Sequence, residues 1–254
     1  MIGPYITGFR YGISGLRWLL RPGIRGYVLI PIIVNAVVFA AGLAWLSGYL
    51  GELQARLTGW LPDWLDWLAW LLWPLAILAA LVLIWTGFTV IANLIGSPFN
   101  GLLSERVLGL HDPQGAPPAS GGWADLLRAP LDEVRKLLYF LLLALGPLLL
   151  SVIPAVNVIS PLAWGVYGAW ILAVEYADYP MANAGLRPRA QRSLLREKRR
   201  LALGFGSGVL LLTVVPGLNL VAMPTAVIGA TLLWCDRLRP ESVSRVAAGN
   251  RALD

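Results

Sequence analysis

Two stretches of this chain combine residue types and spacing that could hold a small anion. The first is Arg21-Pro22-Gly23-Ile24-Arg25-Gly26, directly ahead of a long uncharged apolar run. A helix start presents unpaired N–H groups and a partial positive charge, and flanking glycines let an anion approach the backbone. Arg21 and Arg25 add guanidinium groups whose planar fork suits an oxyanion. By spacing alone, the favoured reading is that the same two arginines hold a helix end at anionic headgroups. The second stretch runs from Asn93 to Arg106. Asn93, Ser97, Asn100 and Ser104 recur at intervals of four, three and four, so they share one helix face, with Glu105 and Arg106 following. A polar stripe on an otherwise apolar helix faces a wet cavity or a polar helix contact. A third group, Glu175-Tyr176-Ala177-Asp178-Tyr179-Pro180, reads as an ion-paired interfacial anchor, with the basic residues that follow it as partners.

Other chemistries find no purchase. There is no phosphate-binding P-loop, no Gly-x-Gly-x-x-Gly after a strand and no cluster at metal-ligand spacing. Gly204, Gly206 and Gly208 lie inside an apolar arm, where small residues permit close helix contact. The single Cys235 excludes an internal disulfide, and the lone His111 reads as a solvated loop residue. Neither an enzyme nor a cofactor or metal requirement is expected.

The elements that position these residues must lie in a membrane. The chain is 57% hydrophobic and only 13% charged, against about 25% charged residues in a soluble domain. The net charge of +6 falls between apolar segments, where the positive-inside rule accounts for it better than nucleic acid does. The expected fold is an all-α integral membrane protein with two long transmembrane helices and two proline-broken, partly penetrating hairpins. Residues 1–26 read as an amphipathic interfacial segment without a cleavable signal peptide. Residues 28–50 and 71–107 read as long helices, 137–174 and 201–234 as hairpins, and 175–200 as a basic cytoplasmic bridge. Val28 to Leu50 is 23 residues without a charge, about 34 Å of helix, enough for a full crossing. The net-acidic, tryptophan-rich connector after it, with Trp60, Trp64, Trp67, Trp70 and Trp73, reads as an outer-face belt. The N-terminus, the bridge and the tail are then cytoplasmic.

The hairpins carry a repeated turn. Leu148-Leu149-Leu150-Ser151-Val152-Ile153-Pro154-Ala155-Val156-Asn157 is echoed by Leu210-Leu211-Leu212-Thr213-Val214-Val215-Pro216-Gly217-Leu218-Asn219. Proline breaks the helix, and asparagine can bond the freed backbone groups. Each apolar arm has roughly 17 residues, about 25 Å, short of a hydrocarbon core about 30 Å thick. Paired, interrupted apolar segments point to a transport site.

Four stretches together resemble the CysZ family of bacterial sulfate permeases over nearly the whole chain. They are Arg21–Gly26 with Pro31 and Asn35, Gly96–Glu105, Glu133–Tyr139, and the turns Pro154–Asn157 and Pro216–Asn219. The resemblance implies sulfate uptake across the inner membrane for cysteine synthesis by a homo-oligomer in contact with lipid. It places sulfate at a Gly-Leu-Arg-Arg-like loop that Gly23, Ile24 and Arg25 match, with Gly26 standing where the second arginine falls. It also puts Asn100–Arg106 near the central pathway. A non-transporting scaffold and a channel for another oxyanion are the alternative functions.

Overall fold

The computed structural model describes residues 2–60, 66–113 and 123–240. These are almost entirely helical: α1 (Gly3–Ser14), α2 (Arg25–Trp60), α3 (Asp66–His111), α4 (Trp123–Val152), α5 (Ser160–Asn183), α6 (Pro188–Glu197), α7 (Arg199–Val214) and α8 (Asn219–Leu233). No strand occurs among the described residues. Among the described residues, four stretches are long and apolar enough to cross a membrane: Arg25–Tyr49, Glu133–Val152, Asn157–Asn183 and Asn219–Leu238. The protein is therefore an all-α, multi-pass membrane protein.

Two compact units make up the chain, residues 29–99 and the remainder. The first holds most of α2 and α3. Its described side chains are largely bare, with Val37, Trp45, Leu75 and Leu78 all more than half exposed. This suits a surface solvated by lipid rather than water. Both helices run further than hydropathy marks them. Gly51–Trp60 and Asp66–Trp70 of the tryptophan-rich connector are helical, because the apolar run ends there while helix-compatible residues continue. Trp64 lies outside the described residues. Pro31, in the second turn of α2, leaves the helix unbroken, and α3 passes through Gly96 and Pro98 without interruption.

The second unit is built around α5, α7 and α8, whose buried residues include Ala173, Met181, Phe205, Val209, Val227 and Ile228, with Trp234 buried just beyond α8. Here α1 lies against α7 and α8, backbone to backbone. A Cβ placed on Gly8 would sit 2.0 Å from the Leu201 carbonyl oxygen, and one on Gly204 would sit 2.0 Å from that of Tyr5. Side chains at these positions would force the helices apart, so the small residues set the spacing. Gly206 does the same between α7 and α5, its Cβ position 1.7 Å from the Ala169 oxygen.

The two proline turns share one backbone. In each, the asparagine N–H bonds the carbonyl four residues back, Asn157 to Ile153 at 3.0 Å and Asn219 to Val215 at 3.2 Å. In each, the residue after proline adopts positive φ, +66° at Ala155 and +84° at Gly217. The sequence repeat is thus a repeat of structure. The arms are unequal, however. The 30 residues of α4 run without a break from the polar Trp123 segment into the first arm, whereas α7 has 16.

Candidate functional site

The turn ahead of α2 is fastened from below. Ile24 is fully buried with Val28, Leu103 and Val107, a burial that stabilises by about 1.5–3 kcal/mol. The carbonyl of Arg21 accepts the N–H groups of Ile24 at 3.0 Å and Arg25 at 3.2 Å. Gly23 takes φ +86°, a conformation that favours glycine. The side chain of Ile24 therefore anchors the turn, leaving only its backbone to face a ligand. Arg21 and Arg25 remain exposed.

The structure adds a third cation. Arg106, on α3, donates from Nε to the Gly23 carbonyl at 3.3 Å. Its guanidinium would stand 3.1 Å from a Cβ on Gly23. Sequence reasoning placed Arg106 in the polar stripe but not at the turn, since 83 residues separate the pair. Arg21 instead lays its guanidinium 3.8 Å from the centre of the Trp18 ring. Among the described residues no carboxylate pairs with Arg21, Arg25 or Arg106 at ion-pair distance, which leaves their charge for an anion.

The polar stripe divides. Asn93 and Ser97 are helical, but their side chains lie outside the described residues. Asn100 is buried and its Nδ2 donates to the Tyr179 hydroxyl at 3.3 Å. Ser104 is fully buried and bonds Thr231 Oγ1 at 2.9 Å. Thr231 already donates to the Val227 carbonyl at 2.8 Å, so Ser104 is the donor and the pair ties α3 to α8. Glu105 and Arg106 are exposed. The turn residues Pro154, Asn157, Pro216 and Asn219 are exposed as well.

Two polar groups differ from their sequence reading. His111 ends α3 and sits 2.8 Å from Asp236, edge-on to Trp18. Asp236 also accepts from the Tyr11 hydroxyl at 2.7 Å. Burial, and then the bond to Asp236, push that phenol above its ordinary value, so it remains a donor. The acidic group at the end of α5 finds its cation on α4 rather than in the basic bridge. Lys136 Nζ lies 3.0 Å from Glu133, 3.1 Å from Glu175 and 3.8 Å from Asp178.

Comparison with known proteins bears on this arrangement. A family model described as sulfate transporter CysZ/etoposide-induced protein 2.4 matches residues 11–224. A protein of Pseudomonas paraeruginosa named sulfate transporter CysZ is 42% identical over 236 residues, covering 91% of this chain and 95% of the relative. Proteins of the same name from Pseudomonas fluorescens (38%; 92% of this chain, 95% of the relative) and Pectobacterium atrosepticum (39%; 92% and 86%) are also similar.

Proposed function

The chain belongs to the sulfate transporter CysZ/etoposide-induced protein 2.4 family, and from that premise we propose that it is a sulfate permease of the bacterial inner membrane, feeding cysteine synthesis. It carries no ATP chemistry of its own and works as a homo-oligomer with a cytoplasmic N-terminus. Sulfate meets the turn at Gly23–Gly26, where Arg25 and the start of α2 supply charge and N–H donors. Arg106 stands in for the second arginine that Gly26 replaces, and Arg21 adds to the field from its seat on Trp18. The observation that carries this reading is the Arg106 guanidinium against Gly23, beside two exposed arginines with no carboxylate partner among the described residues.

A dianion in hydrocarbon is prohibitively costly, so a continuous polar path must follow. Asn93, Ser97, Asn100 and Glu105 are its candidates. Ser104 drops out because its hydroxyl is committed to Thr231. The exposed apolar tips of the hairpins, Val158 at 81% and Leu220 at 76%, are read as surfaces for lipid or a neighbouring protomer.

The test is labelled-sulfate flux into liposomes containing only this protein, with sulfate binding measured in detergent. Arg25→Ala should abolish binding, and Arg106→Ala should weaken it at least about tenfold, the scale of one charge-assisted bond. Both variants should stay folded, since both side chains are exposed. Binding unchanged in both would remove the turn from the mechanism, and no flux above empty vesicles would leave a non-transporting scaffold.

A further inference from the structure

On another face of the same unit, α4, α5 and the start of α7 line an open groove of about 840 Å³. Its walls are apolar, with Leu143, Leu150, Leu162, Val166, Trp170 and Leu203 among the lining residues. Tyr139 to Leu150 on α4 spans about 16 Å at 1.5 Å per residue, a trough shaped for a hydrocarbon chain. The Tyr139 end is cationic. Arg196 lies 5.7 Å from the Tyr139 ring centre and lines the groove together with Arg199. Neither makes an ion pair among the described residues. A second depression of about 600 Å³ adjoins through Arg199, lined by Lys198, Arg200 and Arg237 against a single acid, Glu197. Arg199 and Arg200 also open α7, whose first turn contains no acidic residue. Cations at a helix start oppose its macrodipole, which concentrates positive potential there.

A greasy trough that ends in unpaired guanidinium groups complements one kind of molecule. We propose that this groove binds an anionic phospholipid, an acyl chain lying in the trough along α4 and α5 and its phosphate on Arg196 and Arg199. Basic pockets at the cytoplasmic ends of membrane helices recognise such headgroups. A free oxyanion would answer the arginines but leave the groove empty. A hairpin from a second copy would fill the groove but not the charge, since residues 148–162 and 210–224 contain no Asp or Glu. The proposal stands apart from the sulfate reading, for it uses none of the residues of the α2 turn.

The experiment is native mass spectrometry of the full chain in detergent, titrated with phosphatidylglycerol or phosphatidylcholine. The wild type should bind phosphatidylglycerol at least tenfold more tightly. R196A/R199A should bind both lipids alike. Gly146→Leu puts a side chain into the groove from a position where an added Cβ meets nothing within 4 Å, and should lose both lipids while keeping sulfate binding at the α2 turn. A wild type without preference overturns the proposal, as does a preference that survives in R196A/R199A. Displacement of phosphatidylglycerol by millimolar sulfate would assign the arginines to a free oxyanion instead. A Gly146→Leu variant that loses self-association with lipid binding intact would assign the groove to a second copy.

Discussion

Lys136 shows what a single residue contributes to the frame around the transport machinery. Its ammonium is nearly buried and holds three carboxylates from two helices. Lys136→Met would leave Glu175 and Asp178, each about a third exposed, without their paired ammonium, with Arg192 beyond ion-pair distance as the remaining counter-charge to Asp178. Breaking a fully buried pair costs about 3–5 kcal/mol. With these partners partly wetted, about 2 kcal/mol is expected, read as a lower unfolding temperature in detergent with sulfate binding retained. A loss within about 0.5 kcal/mol would place the cluster among ordinary surface ion pairs. The acidic half of this cluster was legible in the sequence, and so was its pairing role. Its partner was not, because the basic bridge follows it immediately whereas Lys136 precedes Glu175 by 39 positions. The same limit hid the approach of Arg106 to Gly23 and of His111 to Asp236. Spacing along one helix is readable, but a meeting between helices depends on packing that spacing does not encode.

Among the elements, the two proline turns allow a direct comparison. Ala155 and Gly217 occupy equivalent positions with positive φ, and a non-glycine residue there carries about 1–2 kcal/mol of strain. Gly217→Ala has open space for its methyl group, so its cost is conformational and about 1 kcal/mol. Ala155→Gly should stabilise by about 0.5 kcal/mol, as relieved strain is partly offset by the freer unfolded chain. Thermal unfolding of both variants checks the pair, and opposite signs are required. The turns were readable because proline and asparagine punctuate the backbone locally. The contact between α1 and α7 was half readable. Gly204 and Gly208 announced the close approach, with Gly206 turned to α5 instead, but the matching face of α1 consists of Gly8 and Gly12. A search for apolar periodicity passes over a surface made of glycine.

For the molecule as a whole, the depth of the hairpins decides how much of the bilayer the polar path must bridge. The 16 residues of α7 give about 24 Å, short of a core about 30 Å thick. The stretch Glu133–Val152, at 20 residues, reaches about 30 Å only if its polar end enters the membrane. With Lys136 and its carboxylates at that end, partway penetration is the expectation for both hairpins. Asn157→Cys and Asn219→Cys, each made with Cys235→Ser, should resist a membrane-impermeant thiol reagent applied outside the cell. Labelling at either position would make that hairpin a full crossing. The membrane class and the long helices follow from composition and run length. Where helices stop does not, because α2 and α3 outlast their apolar segments.

The seating of α1 against α7 also bears on biosynthesis. A helix is here completed by one translated much later, since Gly8 and Gly12 meet Leu201 and Phe205, nearly two hundred positions downstream. Until α7 has been translated, α1 lacks the surface its glycines are shaped for. Chains that stall before α7 should present an undocked α1 to the quality-control proteases.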